Sequence, residues 1–315
     1  MRVFFFGTGD IGLPVFRALA ESNEHLLAGL ITQPDRPAGR QMALRAPVIK
    51  EEAIRYHIPV FQPEKVKSES VVAQIRNFQP DVGIVIAYGQ ILPKAVLDLP
   101  RYGCLNVHVS LLPKYRGASP IQTAIAEGER TTGITVMYMD EGLDTGEILL
   151  QAPVTIERDD TAGSLHDKLA DEAVAPLLKA LDDLTKNRAA RIPQDEALAS
   201  YASKLTREKA RIDWSQPAEV IEHRIRAYQP WPVAFTNMPV GKSDWRAVKI
   251  YSASVINLPG ESEAGTVMEC VPEGIIIATG RGGLLLRSVH PEGGRIMAAD
   301  EFARGGALRA GECCN

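Results

Sequence analysis

Short apolar runs that alternate with helical patterns constrain this chain more than any other feature. Residues 3–6, 26–32 and 81–87 are apolar runs of strand length, and residues 46–56 and 68–78 between them have helical patterns. Strands that are apolar on both faces and alternate with helices are typical of a parallel sheet covered on both sides. The sequence therefore predicts an α/β fold whose N-terminal domain is a Rossmann-like, mostly parallel sheet with helices on both faces.

The second half of the chain changes pattern. Residues 161–184 predict one long amphipathic helix, and polar residues with Ala and Pro follow. Short strand patterns separated by glycine then dominate, at 247–253, 265–270, 274–279 and 283–289. Even, short strands with glycine turns are typical of a small barrel. We therefore expect a catalytic domain at 1–185, a linker at 186–206 and a smaller C-terminal OB-like β-barrel at 207–315, with a frayed end.

Composition excludes several classes of protein. No apolar run approaches the 18 or so residues that cross a bilayer, and the first residues lead into a strand and a glycine turn without a signal sequence. The four cysteines match neither a zinc spacing nor a disulfide framework. These features predict a cytoplasmic protein with no membrane partner and no metal, which we expect to be monomeric. The net charge of −4 argues against bulk nucleic-acid binding, so RNA contacts would need local basic patches.

The glycine turn at residues 7–12, GTGDIG, has two interpretations. It matches the G-x-G-x-x-G pattern of dinucleotide sites, which would suggest an NAD(P)-dependent oxidoreductase. That pattern also needs an acidic residue at the end of the second strand. Asp35 is the candidate, but it follows Pro34 at the start of a loop, which is poor geometry for a ribose contact. We favour a tight turn with close strand–helix packing, and the oxidoreductase remains an alternative.

Three polar residues form a candidate catalytic set. Asn106 and His108 lie two apart in the strand pattern at 104–109, so they point to the same face. Asp144 lies in the acidic, glycine-bearing loop at 140–146, between two further strand patterns. An amide can donate to a developing oxyanion, an imidazole can carry a proton near neutral pH, and a carboxylate can orient the imidazole. These roles predict acid–base chemistry on a carbonyl group.

Residues 108–122, HVSLLPKYRGASPIQ, make this chain resemble the 10-formyltetrahydrofolate-dependent formyltransferases. Asn106, His108 and Asp144 fall where that family has its catalytic Asn, His and Asp. From residue 1 to about 309 the chain most resembles the members that act on methionyl-tRNA. The resemblance implies transfer of a formyl group from 10-formyltetrahydrofolate, as co-substrate, to the α-amino group of methionine on initiator tRNA.

The resemblance also implies where the folate binds. Open parallel sheets bind ligands at the carboxyl ends of their strands, and in the resembled family two such segments enclose the pterin ring. The implied folate-binding residues are Tyr88, Gly89, Gln90, Ile91, Leu92, Ser110, Leu111, Leu112, Pro113 and Asp140.

Residues 34–48 predict a long irregular loop with a local charge of +2. Unstructured loops of this length are usually functional or disordered. In the resembled family an insertion here enters the acceptor end of the tRNA, and PDRPAGR at 34–40 matches its beginning. The implied tRNA contacts in this loop are Arg36, Arg40 and Arg45, of which Arg40 is the strongest candidate. The second domain adds Arg207, Lys209, Arg246, Lys249 and Arg287, although its basic and acidic residues are equal in number.

A second alternative keeps the chemistry and changes the acceptor. A folate-dependent formyltransferase could act on a small amine, such as glycinamide ribonucleotide or an amino sugar nucleotide. The loop at 34–48 and the C-terminal barrel favour a tRNA substrate, because a small acceptor needs neither.

Overall fold

The computed structural model describes residues 1–38, 42–240, 244–260 and 262–315. These residues form two compact units. The first comprises 1–120, 131–155 and 166–202, and the second comprises 121–130, 156–165 and the described part of 203–315. Within these ranges no helix has the length and apolar character needed to span a bilayer.

Strands and helices alternate through the first unit and strands dominate the second. The strands are β1 (Arg2–Gly7), β2 (Leu26–Ile31), β3 (Arg36–Ala38), β4 (Ala43–Arg45), β5 (Val60–Phe61), β6 (Val82–Ile86), β7 (Cys104–His108), β8 (Arg116–Gly117), β9 (Thr131–Tyr138), β10 (Ile148–Thr155), β11 (Tyr201–Ala202), β12 (Phe235–Val240), β13 (Asp244–Ile256), β14 (Val267–Val271), β15 (Gly274–Ala278), β16 (Gly283–Pro291) and β17 (Met297–Ala298). The helices are α1 (Leu13–Ala20), α2 (Val48–Arg55), α3 (Glu69–Asn77), α4 (Lys94–Leu97), α5 (Pro120–Ala126), α6 (Ala162–Glu172), α7 (Val174–Thr185), α8 (Ala218–Ala227) and α9 (Ala299–Phe302).

The first unit is built on a seven-stranded sheet in the order β10-β9-β7-β6-β1-β2-β5. The strands from β7 to β5 run parallel, whereas β9 is antiparallel to both of its neighbours. The central strands are buried because both faces are covered, and Phe4, Phe5 and Phe6 of β1 are wholly inaccessible. This arrangement confirms the predicted Rossmann-like, mostly parallel sheet.

The second unit has an antiparallel sheet in the order β12-β13-β16-β15-β14, with β17 paired to β16. Residues 311–315 pair with both of its edges. Gly311 donates its N–H to the carbonyl of Val267 on β14, and Asn315 exchanges two backbone hydrogen bonds with Asn237 on β12. The sheet is therefore barrel-like, as predicted, but the expectation of a frayed end at 310–315 is wrong.

Two element predictions differ from the structure. Residues 161–184 form two helices, α6 and α7, rather than one. Pro176 lies in the first turn of α7 and lacks the N–H that a continuous helix would use to bond Glu172. The loop at 34–48 contains a short hairpin of β3 and β4, whose ends pair Arg36 with Arg45.

Residues 186–202, expected to belong to a linker, fold with the first unit. Ile192 forms an antiparallel bridge with Ile148 at the start of β10. Further along, β11 pairs in parallel with β8. This segment therefore lies along the two loops that carry the candidate site.

Candidate active site

The carboxyl end of β7 presents two of the predicted catalytic residues. Asn106 is half-buried and pairs with Met137 across the sheet, while His108 is buried and pairs with Thr135. The side-chain Nδ2 of Asn106 donates to Oδ1 of Asp144 at 3.2 Å. The alternation of side chains in a strand thus brings the amide and the imidazole to one face, as the sequence predicts.

Asp144 lies in the loop between β9 and β10 and has a backbone φ of 54°. Aspartate is one of the few residue types that tolerate this left-handed conformation. Its Oδ2 accepts the backbone N–H of Gly117 at 2.8 Å and lies 3.7 Å from Nδ1 of His108. The structure therefore brings Asn106, His108 and Asp144 together around one carboxylate.

The ring of His108 is fixed from its other nitrogen. Nε2 lies 3.0 Å from the carbonyl oxygen of Tyr115. A carbonyl can only accept, so Nε2 carries the hydrogen of the neutral ring. The lone pair of the neutral imidazole is then at Nδ1, the nitrogen that faces Asp144. A proton taken up at Nδ1 forms an imidazolium next to a carboxylate, which stabilises it.

The turn after β7 is held by internal hydrogen bonds. Ser110 donates its hydroxyl to the carbonyl of Lys114 at 2.6 Å. Thr135 donates to the carbonyl of Ser110 at 2.6 Å and accepts the N–H of Leu112 at 3.1 Å. The predicted folate residues Ser110 and Leu112 are thus engaged in shaping this turn. Sequence reasoning missed Thr135, whose only signal is a hydroxyl between the apolar residues Ile134 and Val136 of β9.

The other predicted folate segment follows β6. Its first residue, Tyr88, is buried, and its carbonyl accepts hydrogen bonds from Thr8 and from Gln33. Burial raises the pKa of the Tyr88 hydroxyl to about 12, and this hydroxyl has no hydrogen-bond partner among the described residues. Gly89 has a φ of 84°, and Ile91 is 88% exposed. The segment therefore has a buried hydroxyl, that of Tyr88, without a hydrogen-bond partner among the described residues, and an exposed apolar side chain, that of Ile91.

A cavity of about 520 Å³ lies at the end of β9, where the Asp144 loop begins. Of the predicted folate residues, Asp140 lines it. Its wall also includes Leu97, Gly103, Cys104, Tyr138 and Met139. A volume of this size is in the range of small-molecule sites.

The glycine turn at 7–12 has the geometry of close packing. A Cβ added to Gly7 would lie 2.6 Å from the ring of Phe5 and 3.1 Å from the carbonyl oxygen of Ile86. Asp35, the candidate ribose ligand, instead binds Gln62 at 2.6 Å and Lys50 at 2.8 Å, and these contacts lower the pKa of its carboxyl. The turn therefore needs no nucleotide, and the oxidoreductase alternative is not favoured.

Both parts of the chain match protein-family models. Residues 1–181 match the model described as "Formyl transferase", and residues 204–307 match "Formyl transferase, C-terminal domain". The methionyl-tRNA formyltransferase of Methylacidiphilum infernorum is 45% identical over 312 residues, which are 99% of this chain and 97% of that protein. This chain belongs to the methionyl-tRNA formyltransferase family. The resemblance seen in the motif is confirmed, and the protein is a formyltransferase enzyme.

Two solved structures illustrate the shared fold. A sugar 3N-formyl transferase crystallised with dTDP and 5-N-formyl-THF is 18% identical, with a TM-score of 0.66, over 93% of this chain and 98% of its own. HypX from Aquifex aeolicus in complex with tetrahydrofolic acid is 18% identical, with a TM-score of 0.60, over 96% of this chain and 46% of that longer protein. At this identity the likeness establishes the fold alone.

The residues implied as tRNA contacts in this family are exposed where the structure describes them. Arg36 and Arg45 lie on the β3–β4 hairpin, and Arg40 falls outside the described residues. In the second unit the exposed basic residues are Arg207, Lys209, Arg246, Lys249 and Arg287. Their role in binding stays a prediction. In the part of the chain that the structure describes, no cluster of three His, Cys, Asp or Glu could hold a metal ion.

Sequence reasoning missed the buried contacts between Arg116 and the segment at 192–202. Arg116 is fully buried, and its guanidinium binds Gln194 and Glu196 of the segment expected to be a linker. Glu196 raises the pKa of Arg116 through this hydrogen bond. The motif includes Arg116, but these partners lie about 80 residues away and no local pattern indicates them.

Proposed function

We propose that this formyltransferase transfers a formyl group from 10-formyltetrahydrofolate to the α-amino group of methionine on initiator tRNA. The observation that carries the proposal is that Asn106 and His108 both face the carboxylate of Asp144. Nδ2 of Asn106 donates to Oδ1, and Nδ1 of His108 lies 3.7 Å from Oδ2. Membership of the methionyl-tRNA formyltransferase family supports the choice of acceptor. A cytoplasmic location and a monomeric state belong to the same proposal.

The proposed chemistry assigns one role to each side chain. The neutral amine attacks the formyl carbon, and its proton passes to Nδ1 of His108. An α-amino group has a pKa near 8, so an imidazole is suited to take that proton during attack. The formyl oxygen gains negative charge, which Asn106 stabilises with a side-chain N–H. The bond from the formyl carbon to N10 of the folate then breaks, and the proton is returned to N10.

Asp144 acts on the imidazole rather than on the substrate. Its carboxylate is oriented by two donors, the amide of Asn106 and the N–H of Gly117. Opposite charge stabilises the imidazolium that forms during attack. Because Oδ2 is 3.7 Å from Nδ1, a small movement of the ring or the loop would make a direct hydrogen bond.

The folate is proposed to bind between the segment after β6 and the Asp144 loop. The cavity beside Asp140 supports this placement. The fold is shared with HypX, whose crystal structure contains tetrahydrofolic acid.

The tRNA is proposed to reach the site through the loop at 34–48. Arg36 and Arg45 are exposed on its hairpin, and Arg40 lies between them in the chain. A guanidinium can bind a phosphate or a base edge in a planar fork. Exposed basic residues of the second unit would add phosphate contacts, and each of these is expected to contribute little alone.

A formylation assay tests the proposal. The protein is incubated with 10-formyltetrahydrofolate and initiator tRNA charged with methionine, and N-formylmethionine is quantified. The matched acceptors are the same tRNA uncharged, glycinamide ribonucleotide and an amino sugar nucleotide. Formylation of the charged tRNA alone is the expected result. Transfer to a small amine with none to charged tRNA would overturn the assignment of the acceptor and retain the enzyme class.

A further inference from the structure

The segment at 192–202 is attached to both loops of the candidate site. At its start, Ile192 exchanges two backbone hydrogen bonds of 2.8 and 3.0 Å with Ile148, just after the Asp144 loop. At its end, Ser200 accepts the N–H of Arg116 through its carbonyl and that of Tyr115 through its hydroxyl. Tyr115 is the residue whose carbonyl binds His108. The segment therefore spans the two loops that hold the imidazole and the carboxylate.

The side chain of Gln194 connects this segment to the Asp144 loop and to Arg116. Its Nε2 donates to the carbonyl oxygens of Asp144 and Gly146, both at 2.8 Å. Its Oε1 accepts from Nε of Arg116 at 3.0 Å and from a terminal nitrogen of the same guanidinium at 2.8 Å. A primary amide has two donors and two acceptor sites, and this one uses all four. Such full use fixes the orientation of the amide, because a flipped amide would turn N–H groups toward Arg116 and an oxygen toward two carbonyls.

Arg116 fixes the position of the Gln194 amide, because its guanidinium binds Oε1 of Gln194. Its side chain is fully buried, so its charge needs compensation. Glu196 supplies it through two hydrogen bonds of 2.9 and 2.7 Å from the guanidinium. The side chain of Glu196 is 69% exposed, so it contacts solvent on its other side. Gln194 is thus held between a fixed cation and the backbone of the Asp144 loop.

Gln194 binds the part of the loop in which Asp144 has a left-handed backbone conformation. Asp144 has a φ of 54°, a conformation that costs an ordinary residue about 1 kcal/mol or more. The carbonyls on either side of the Thr145–Gly146 step both bind the same amide. These two bonds oppose relaxation of the loop, which would turn the carboxylate of Asp144 away from His108.

We propose that Gln194 is a positioning residue for formyl transfer. Its two hydrogen bonds to the carbonyls of Asp144 and Gly146, here called the latch, hold the loop so that the carboxylate of Asp144 stays beside His108. The inference rests on the proposed roles of His108 and Asp144. It makes the segment expected to be a linker part of the working site. Gln194 acts through Asp144 and is not itself assigned a contact with substrate.

Two variants and one control test the latch. Gln194→Met keeps the volume and removes all four hydrogen bonds. Gln194→Glu keeps the acceptor for Arg116 and removes both donors to the loop. It therefore tests the latch with the Arg116 contact retained, even if Gln194→Met fails to fold. Asp195→Asn is the control, because the exposed side chain of Asp195 accepts the N–H of Ala197 within the same segment. Each variant is assayed for kcat and for the KM of both substrates.

The latch predicts a fall in kcat of about tenfold to a hundredfold in both Gln194 variants, since displacements of about 1 Å cost this much. The KM values should change by less than about threefold, because binding surfaces are untouched. Asp195→Asn should retain the wild-type rate within about threefold, as expected of an exposed charge.

Normal kcat in folded Gln194→Glu would overturn the latch, as would an equal loss in Asp195→Asn. Crystal structures of wild type and Gln194→Met separate this from the proposed function, because they need no substrate. An Asp144 carboxylate displaced from His108 in the variant supports the latch even if wild type formylates no tRNA. An unchanged distance between Oδ2 of Asp144 and Nδ1 of His108 overturns it.

Discussion

The backbone N–H of Gly117 binds Oδ2 of Asp144 at 2.8 Å. The same oxygen faces Nδ1 of His108, so the hydrogen bond orients the carboxylate toward the ring. Gly117 has a φ of 112°, and a Cβ there would lie 2.8 Å from the carbonyl oxygen of Ala202. Glycine is therefore needed to place this N–H.

Asp144→Asn should lower the rate about a hundredfold or more. Asparagine tolerates the left-handed backbone, so the loop keeps its shape and only the charge and one acceptor are lost. The imidazolium that forms during attack loses its stabilising partner. Steady-state rates at saturating substrate measure the loss. Near-normal activity would leave Asp144 a loop residue without a catalytic role.

His108→Ala should lose nearly all formyl transfer while the fold survives. Removing a general base typically costs about 10²–10⁴-fold in rate. The matched control is His166→Ala, because His166 lies on helix α6 and pairs with Asp10 and Asp167 rather than with the site. Single-turnover assays and circular dichroism of both variants make the comparison. Retention of more than about a tenth of the rate would remove His108 from the mechanism.

Asn106→Ala should lower the rate about a hundredfold or more, because it removes the donor to the developing oxyanion. The same change also frees one carboxylate oxygen of Asp144. Thermal melting compares its stability with that of wild type, and assays at saturating substrate isolate kcat. A rise in KM with unchanged kcat would assign Asn106 to binding instead.

Gly146→Ala should disrupt the Asp144 loop. A Cβ at this position would lie 1.7 Å from the carbonyl oxygen of Tyr138, so the backbone must move. We expect a loss in kcat of about tenfold or more from the displaced loop. Leu143→Ala is the control in the same loop, since the side chain of Leu143 is largely exposed. Equal activity of the two variants would contradict the required loop geometry.

Arg40→Ala should impair formylation of charged tRNA strongly while folate binding stays intact. Arg40 is the central basic residue of the loop at 34–48, although it falls outside the described residues. Arg36→Ala and Arg45→Ala, at the ends of the hairpin, should have smaller effects. Kinetics with charged tRNA and a direct folate-binding assay distinguish the steps. Equal loss of tRNA formylation and of folate binding would indicate misfolding. No loss of either would mean that Arg40 has no role in tRNA binding.

The sequence predicted what depends on local pattern. The parallel strands follow from apolar runs, and Asn106 and His108 share a face because strand side chains alternate. Their proximity to Asp144 was implied by the family motif, and the structure brings the three together. The hydrogen bonds of Gln194 could not be predicted, because they join residues about 50 and 80 positions apart. A half-buried amide in a polar stretch has no periodicity that distinguishes it from a solvated one.

The pairing of residues 311–315 with Val267 and Asn237 bears on self-association. An edge strand with unpaired N–H and C=O groups is a template on which another chain can add a strand. Here residues 311–315 occupy such groups on β14 and β12 at once. Removing these residues would expose unpaired backbone groups on both strands, so we expect the shortened protein to self-associate more readily.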